Sequence, residues 1–222
     1  MKTIFLEKTE STNDYLKKIK RPKEDVLVIA SEQSGGRGTK GRSFISQKGG
    51  VYLSLLKLYP CKAKDSFSIM SNSAVAVVKT LHAFDIDAKI KWPNDILVNG
   101  KKICGILIEN VFEGDDVCRS IVGIGVNVNN EIAEEIKDIA ISTKQILGRE
   151  LATSTVSATL AYNLYAPSTF EEYKKSLLFI GEEVTIITQK STYKAIIDDV
   201  LPNGNLKLKN GEVLSSAEVS IR

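Results

Sequence analysis

Apolar and polar positions in the first third of the chain predict strands, helices and one long loop. Apolar runs predict strands over residues 2–6, 26–31 and 51–58, and a helical period predicts an amphipathic helix over residues 67–84. Residues 32–50 contain six glycines and show little periodicity, which predicts a loop. Loops of that length inside compact domains are usually functional or disordered.

A short helix is predicted directly after the first strand, with Ser11 or Thr12 as its cap and Leu16 on its apolar face. Ser11, Thr12 and Asn13 have two interpretations. They can serve only as capping residues, or their hydroxyl and amide groups can bind a neutral polar group such as a ureido ring.

The rest of the chain predicts a hairpin, then helices, then a small β unit. Residues 89–129 are rich in strand formers around a type I′ turn at Asn99–Gly100. Helical patterns resume over residues 131–147 and extend over residues 153–178, with a break at Pro167.

From Gly181 onward, short β-prone runs alternate with turns at Asn203–Gly204 and Asn210–Gly211, which predicts a small all-β barrel of SH3 size. The chain is therefore predicted to be α+β, with domains at residues 1–178 and 179–222.

Composition narrows the possible partners and sites. The 222 residues are 43% hydrophobic, and 30 Lys and Arg against 27 Asp and Glu give a net charge of +3, too small an excess to favour duplex nucleic acid. No secretory signal or membrane-length apolar run is present, so a cytoplasmic location is expected. Three cysteines without CxxC spacing suggest neither disulfides nor zinc. The single histidine, His82, lies late in the predicted amphipathic helix and is interpreted as structural, which argues against Ser-His-Asp and Cys-His catalysis.

The segment GGRGTKGR, residues 35–42, is the most informative part of the loop. Its glycines allow backbone N–H groups to approach an anion, and Arg37, Lys40 and Arg42 add positive charge. The segment suits a phosphate-bearing ligand, although it is not a Walker motif. A flexible solvated loop and a patch for single-stranded nucleic acid remain the alternatives.

The hairpin supplies a second candidate site. A regular two-residue turn pairs Leu97 with Lys102. The same register pairs Asp95 with Cys104, so that Asp95 and Lys102 become diagonal neighbours on one face. Gly105 follows, where a missing side chain lets a ligand lie against the strand. The alternative is a surface ion pair of little energetic value.

The run IVGIGVNVN places Gly123, Gly125, Asn127 and Asn129 on one strand face, opposite an apolar one. An amide there can both donate and accept, as an adenine edge requires. A β-bulge or close helix packing would also account for the glycines.

Together and in this order, these segments resemble the catalytic module of biotin protein ligases. The resemblance covers essentially the whole chain. It rests on Ser11-Thr12-Asn13, Gln33 with GGRGTKGR, KWPNDI from Lys91, KKICGILIE from Lys101, GIGVNV from Gly123 and the closing AEVSIR. It implies the monofunctional type without an N-terminal DNA-binding domain, a catalytic domain like that of class II aminoacyl-tRNA synthetases, and an SH3-like C-terminal barrel.

The resemblance also implies the reaction and the partners. Biotin and ATP, as its Mg²⁺ complex, would give biotinyl-5′-AMP, from which biotin passes to a lysine of a carboxylase's biotin carrier domain. A homodimer is a further expectation, and contact with DNA or membrane is not expected. Lipoate–protein ligase is the nearest alternative, and a non-catalytic nucleotide- or RNA-binding protein is the alternative from another class.

Matching positions imply three sets of site residues. The catalytic set is Lys102, Arg37 and Asp95, with Lys102 bridging the biotin carboxylate and the α-phosphate, and Asp95 orienting Lys102 or assisting with Mg²⁺. The biotin-binding set is Ser11, Thr12, Asn13, Gln33, Gly36, Arg37, Lys102 and Gly105. The ATP- or adenylate-binding set is Gly38, Thr39, Lys40, Arg42, Phe44, Asn94, Lys102 and Asn127.

Two loop positions depart from the family pattern. The family loop commonly reads GRGRxGR, and Thr39 stands at its second arginine, which is associated with closing the loop over the adenylate. Phe44 stands where tryptophan is usual, which keeps an apolar wall of smaller area.

We therefore predict that this chain retains its adenylate less securely than its relatives do. The half-life of bound biotinyl-adenylate, followed by rapid filtration, should lengthen in Thr39→Arg. An ordinary half-life that Thr39→Arg leaves unchanged would contradict this prediction.

Overall fold

A computed structural model describes residues 1–58, 61–188, 190–216 and 219–221. Within these residues the larger sheet is mixed and has eight strands in the order β1-β2-β3-β8-β7-β6-β5, with β4 paired to β8. Only the β1–β2 pairing among these is parallel. The strands are β1 (Lys2–Thr9), β2 (Val26–Gln33), β3 (Val51–Lys57), β4 (Cys61–Lys62), β5 (Lys89–Lys91), β6 (Asp95–Val98), β7 (Lys101–Glu113) and β8 (Asp116–Val126).

Helices cover both faces of this sheet. They are α1 (Thr12–Lys17), α2 (Phe67–His82), α3 (Thr143–Leu147), α4 (Thr153–Tyr165) and α5 (Phe170–Lys175). The predicted cap is confirmed at Ser11, whose side chain accepts from the Asp14 amide at 3.3 Å. On one face α1 buries Leu16 in a small cluster with Val28 and Leu56, whereas α2 and α4 cover the main core on the other face.

The predicted helical run over residues 131–147 is mostly wrong. Residues 139–141 instead run beside β7, where the Lys102 amide donates to the Ile139 carbonyl at 2.8 Å and the Ile141 amide donates to the Lys102 carbonyl at 3.0 Å. Backbone groups committed to a neighbouring strand cannot serve a helix, so only residues 134–136 and α3 are helical there. The predicted break at Pro167 is confirmed by the gap between α4 and α5.

The C-terminal β-prone runs form a smaller antiparallel sheet in the order β12-β11-β10-β9-β13. Its strands are β9 (Glu183–Ile187), β10 (Thr192–Val200), β11 (Leu206–Leu208), β12 (Val213–Leu214) and β13 (Ser220–Ile221). The indole Nε1 of Trp92 donates to the Gly204 carbonyl at 2.9 Å, and the apolar side chains of both sheets form one continuous core. From the closing AEVSIR segment, Ala217, Glu218 and Arg222 lie outside the described residues.

The β6–β7 hairpin departs from its predicted register by one residue. Asn99 and Gly100 both have positive φ, as a type I′ turn requires, and Leu97 pairs with Lys102. The predicted pairing of Asp95 with Cys104 is wrong, because a β-bulge inserts Ile103 and places Asp95 opposite Gly105. Ile103 is fully buried in the main core, and its burial accounts for the extra residue.

Membrane-spanning helices are not found in the part of the chain that the structure describes, since each helix there is too short or too polar.

Candidate functional site

A cavity opens over the larger sheet, between the start of α1, the glycine loop and the β7–β8 pair. The Gly35 amide ties the loop to the end of β1 by donating to the Glu10 carbonyl at 2.8 Å, and the Phe44 amide closes the loop on itself by donating to the Gly36 carbonyl at 2.9 Å. The cavity is lined by Ser11, Thr12, Asn13, Gln33, Arg37, Gly38, Thr39, Phe44, Asn94, Lys102, Gly105, Ile106, Leu107, Gly123, Ile124 and Gly125.

Two facing glycines give the cavity a bare floor. Gly105 on β7 pairs directly with Gly125 on β8. A Cβ on Gly125 would lie 2.6 Å from the Phe44 ring, and one on Gly105 would lie 3.2 Å from that ring and 3.1 Å from Lys102 Nζ. The space predicted at Gly105 therefore exists, and the Phe44 ring packs into it.

A charge pair stands at one side of this floor. Lys102 Nζ lies 2.7 Å from Asp95 Oδ1 and 5.8 Å from the centre of the Phe44 ring. The Asp95 side chain is 23% exposed and that of Lys102 is 34% exposed. This confirms that the two share a face, and the carboxylate holds the ammonium against the cavity wall. The neighbouring Cys104 supplies no thiolate, because burial raises the pKa of its thiol far above the ordinary value.

The KWPND segment forms a rigid support beside this pair. The Asn94 side-chain amide donates to the Ile106 carbonyl at 2.9 Å, and the Ile106 amide donates to the Asn94 carbonyl at 3.1 Å. The Tyr173 hydroxyl donates to the Pro93 carbonyl at 3.0 Å, and Trp92 is tied to the smaller sheet. These bonds fix the start of β6, on which Asp95 stands.

The opposite side of the cavity holds a neutral polar network. Ser54 Oγ lies 2.6 Å from both Thr12 Oγ1 and Asn13 Oδ1. Because the carbonyl oxygens of Asn13 and Gln33 can only accept, the Ser54 hydroxyl is the donor to Asn13, and the Thr12 hydroxyl donates to Gln33 Oε1 at 3.0 Å. The Thr12 amide donates to Gln33 Oε1 at 2.8 Å, and Gln33 Nε2 donates to Ser46 Oγ at 2.9 Å. The cavity thus offers oriented donors and acceptors to an uncharged group.

A second, more open cavity lies between the glycine loop, KWPND and the smaller sheet. Lys40, Arg42 and Asp95 line it. Lys40 crosses to the smaller sheet and donates to the Val219 carbonyl at 2.9 Å. Arg42 instead donates to the Thr39 carbonyl at 3.3 Å, which stabilises the loop turn.

Comparison with known proteins places this geometry in a family. The model of the Biotin/lipoate A/B protein ligase family matches residues 5–127, more than half of the chain. The chain belongs to the biotin/lipoate A/B protein ligase family.

Individual members of this ligase family agree with the match. The chain is 44% identical over 133 residues to the bifunctional ligase/repressor BirA of Bacillus subtilis, which covers 58% of this chain and 41% of that protein. It is 35% identical over 131 residues to a biotin–[acetyl-CoA-carboxylase] ligase of Paracoccus denitrificans, and this match covers 56% of this chain and 53% of that protein. The matched segment thus spans about half or less of these two relatives.

A solved structure extends the likeness beyond the matched segment. The biotin protein ligase of Aquifex aeolicus, in complex with biotin and ATP, superposes with a TM-score of 0.80 at 28% identity, covering 100% of this chain and 98% of that one. Both sheets of this ligase-family chain therefore have counterparts in a known biotin protein ligase.

Most of the predicted site residues surround the two cavities of this ligase-family chain, and two do not. Gly36 supports the loop turn, since a Cβ there would lie 2.3 Å from the Phe44 carbonyl oxygen. Asn127 is buried, with its amide donating to the Ile141 carbonyl and accepting from Asn130, each at 3.2 Å. Neither residue lines the cavities described above. The described residues include no cluster of His, Cys, Asp and Glu that could hold a metal ion.

Two polar residues at this site were missed by the sequence analysis. Ser54 is fully buried on β3, and its signal was a single serine within the mostly apolar run VYLSLLK. Glu109 on β7 contacts both Asn13 and Arg37, and its signal was a carboxylate closing the apolar run ICGILI.

We predict that Ser54→Ala destabilises the protein by about 1–3 kcal/mol, because it leaves the buried Asn13 carbonyl oxygen without its hydrogen-bond donor, whereas the Thr12 hydroxyl keeps Gln33. Urea denaturation measures the change. Ser73→Ala is the matched control: its buried hydroxyl donates only to the Ile69 carbonyl within α2, and alanine favours a helix. Equal effects of the two substitutions would contradict the role of Ser54.

Proposed function

We propose that the chain is an ATP-dependent ligase that forms biotinyl-5′-AMP from biotin and ATP and transfers the biotin to a lysine of a biotin carrier domain. The observation that carries the proposal is the Lys102 ammonium, fixed 2.7 Å from Asp95 at a glycine-floored cavity beside the basic loop. The family match and the likeness to a ligase bound to biotin and ATP support it.

The first step needs charge stabilisation more than a nucleophile from the protein. A carboxylate oxygen of biotin attacks the α-phosphorus of ATP, the bond to the bridging oxygen breaks, and pyrophosphate leaves. Lys102 offsets the repulsion between the two anions and the charge that develops on the phosphate. Asp95 holds the ammonium in place, so little reorganisation is needed at the moment of reaction. Mg²⁺ enters with ATP as part of the substrate, and Asp95 is the carboxylate placed to assist it.

In the second step the amine of the carrier lysine attacks the acyl carbon of the mixed anhydride, and AMP leaves. Lys102 again stands beside the charge that forms, first on the tetrahedral intermediate and then on AMP. The acceptor class is the biotin carrier domain of a carboxylase, and a homodimer is proposed as the assembly.

The neutral network suits the uncharged head group of biotin, whose ureido ring both donates and accepts hydrogen bonds. Its proposed contacts are Ser11, Thr12, Asn13, Gln33 and Arg37, with Gly36 supporting the loop and Gly105 offering its backbone. The proposed nucleotide contacts are Gly38, Thr39, Lys40, Arg42, Phe44, Asn94 and Asn127.

Three of these nucleotide contacts require rearrangement on binding. Phe44 must leave the glycine floor or share it, Lys40 must exchange the Val219 carbonyl for phosphate, and the Asn127 amide must exchange a partner for adenine. The affinity for nucleotide therefore includes the free-energy cost of these exchanges.

We further propose that the larger sheet with its helices is a domain of class II aminoacyl-tRNA synthetase type, residues 1–178, and that the smaller sheet is an SH3-like domain, residues 179–222. The mixed sheet and the separate five-stranded antiparallel sheet support this division.

The test is acyl-adenylate formation, detected by mass spectrometry after incubation with Mg²⁺, ATP and either biotin or lipoate. Wild type should form biotinyl-adenylate, and Lys102→Ala should form it about 10²–10³-fold more slowly, the loss typical of removing one stabilising group from such a site. Lys101→Ala is the control, since Lys101 Nζ donates to the Lys137 carbonyl and lines neither cavity. Lipoyl-adenylate alone would assign the chain to lipoate ligation, and no adenylate from a folded, ATP-binding protein would contradict the proposal.

A further inference from the structure

Four charged side chains join α1, the glycine loop and β7 next to the cavity. Arg37 Nη2 lies 2.6 Å from Asp14 Oδ1 and 3.2 Å from Glu109 Oε2. Lys17 Nζ lies 2.6 Å from Glu109 Oε1 and 3.3 Å from Asp14 Oδ1. Two cations thus face two carboxylates, and the charge of the loop arginine is balanced before any ligand binds.

Glu109 is the member of this cluster that reaches the cavity wall at two points. Its Oε2 accepts from Asn13 Nδ2 at 2.9 Å as well as from Arg37, while its Oε1 accepts from Lys17. Asn13 and Arg37 line the cavity, and Glu109 does not. Glu109 therefore acts on a ligand only through these two neighbours.

Glu109 stands on a rigid strand and Arg37 on an irregular loop, so their ion pair fixes the loop side chain relative to the sheet. Glu109 pairs with Ile121 in the middle of the longest strand pairing of the larger sheet, so its backbone is fixed. Arg37 stands on an irregular loop, and its side chain is 40% exposed. Ion pairs this exposed contribute little to global stability, so the main effect of Glu109 is on where Arg37 and Asn13 stand.

Only a carboxylate can serve all three partners. Asn13 Nδ2, Arg37 and Lys17 are all donors, and they require two accepting oxygens. Glutamine offers one accepting oxygen and one amino group that would face a donor. Glu109→Gln preserves size and leaves Asp14 on Arg37. It replaces the charged acceptor shared by Arg37 and Asn13 with a neutral amide oxygen and turns an NH2 group toward Lys17, so the support of Arg37 and Asn13 is weakened.

We propose that Glu109 is a positioning residue of the site, holding the loop guanidinium and the Asn13 amide at the cavity wall in the arrangement that receives the acid substrate. The identity of that substrate as biotin rests on the function proposed above.

A double-mutant cycle tests the proposal in adenylate formation. Glu109→Gln should raise the KM for biotin about tenfold and change kcat by less than about threefold, because it misplaces binding groups and leaves Lys102 in place. In an Arg37→Ala background the same change should raise the KM by less than about threefold. The control is Glu113→Gln, an exposed carboxylate on the same strand. An unchanged KM, or an equal rise in both backgrounds, would overturn the proposal.

A second readout does not depend on the activity. In ligand-free protein, trypsin should cut after Arg37, Lys40 and Arg42 about fivefold faster in Glu109→Gln than in wild type or Glu113→Gln, because local opening of the loop becomes easier. Equal cleavage rates in all three would overturn the role of Glu109. If wild type forms no biotinyl-adenylate while the loop still loosens in Glu109→Gln, the proposed function fails and the positioning of Arg37 by Glu109 stands.

Discussion

Strand β7 is hydrogen-bonded on both sides, to β6 and to β8, and the site depends on the rigidity that this double pairing provides. A single strand carries the Lys102 ammonium, the bare backbone of Gly105 and the Glu109 carboxylate. Their spacing is fixed by the sheet and not by flexible loops, which is how a site keeps charged groups within a fraction of an ångström of a working geometry. The bulge at Ile103 shifts the pairing of β6 with β7 by one residue, and this shift brings Asp95 opposite Gly105.

The glycine loop is the irregular counterpart of this strand. It is attached near its start through Arg37, to Asp14 and Glu109, and near its middle through Lys40, to the Val219 carbonyl of the smaller sheet. A loop held by a few polar contacts can exchange them for ligand contacts at small cost, which fits the proposed reaction, in which the site admits two substrates and releases products. The smaller sheet consequently takes part in the site, although it adds no residue to the floor.

The sequence predicted the features that depend on neighbouring residues. The cap at Ser11, the Asn99–Gly100 turn and the proximity of Asp95 and Lys102 each follow from local chemistry or from the pleat of one hairpin. The bulge could not be predicted from local sequence, because it depends on the burial of Ile103 in the core. The stretch over residues 139–141 was misassigned for a similar reason, since its pairing with Lys102 overrides its helical pattern.

The two missed side chains share a cause. Ser54 is 41 residues from Asn13 and Glu109 is 96 residues from it, so the packing of α1 across the sheet alone brings them together. Nothing in a single sequence fixes that packing. The resemblance to biotin protein ligases includes Glu109 as the last residue of KKICGILIE, but it assigned a role to neither residue, because the contacts of both join segments that are far apart in the sequence.

The central claim is that the ammonium of Lys102 promotes the attack of the biotin carboxylate on ATP, and biotin-dependent exchange of labelled pyrophosphate into ATP measures this step alone. The account predicts exchange in wild type that requires biotin, and a loss of about 10² or more in Lys102→Met, with biotin affinity changed far less. Undiminished exchange in Lys102→Met, or its absence in wild type that binds both substrates, would contradict the account.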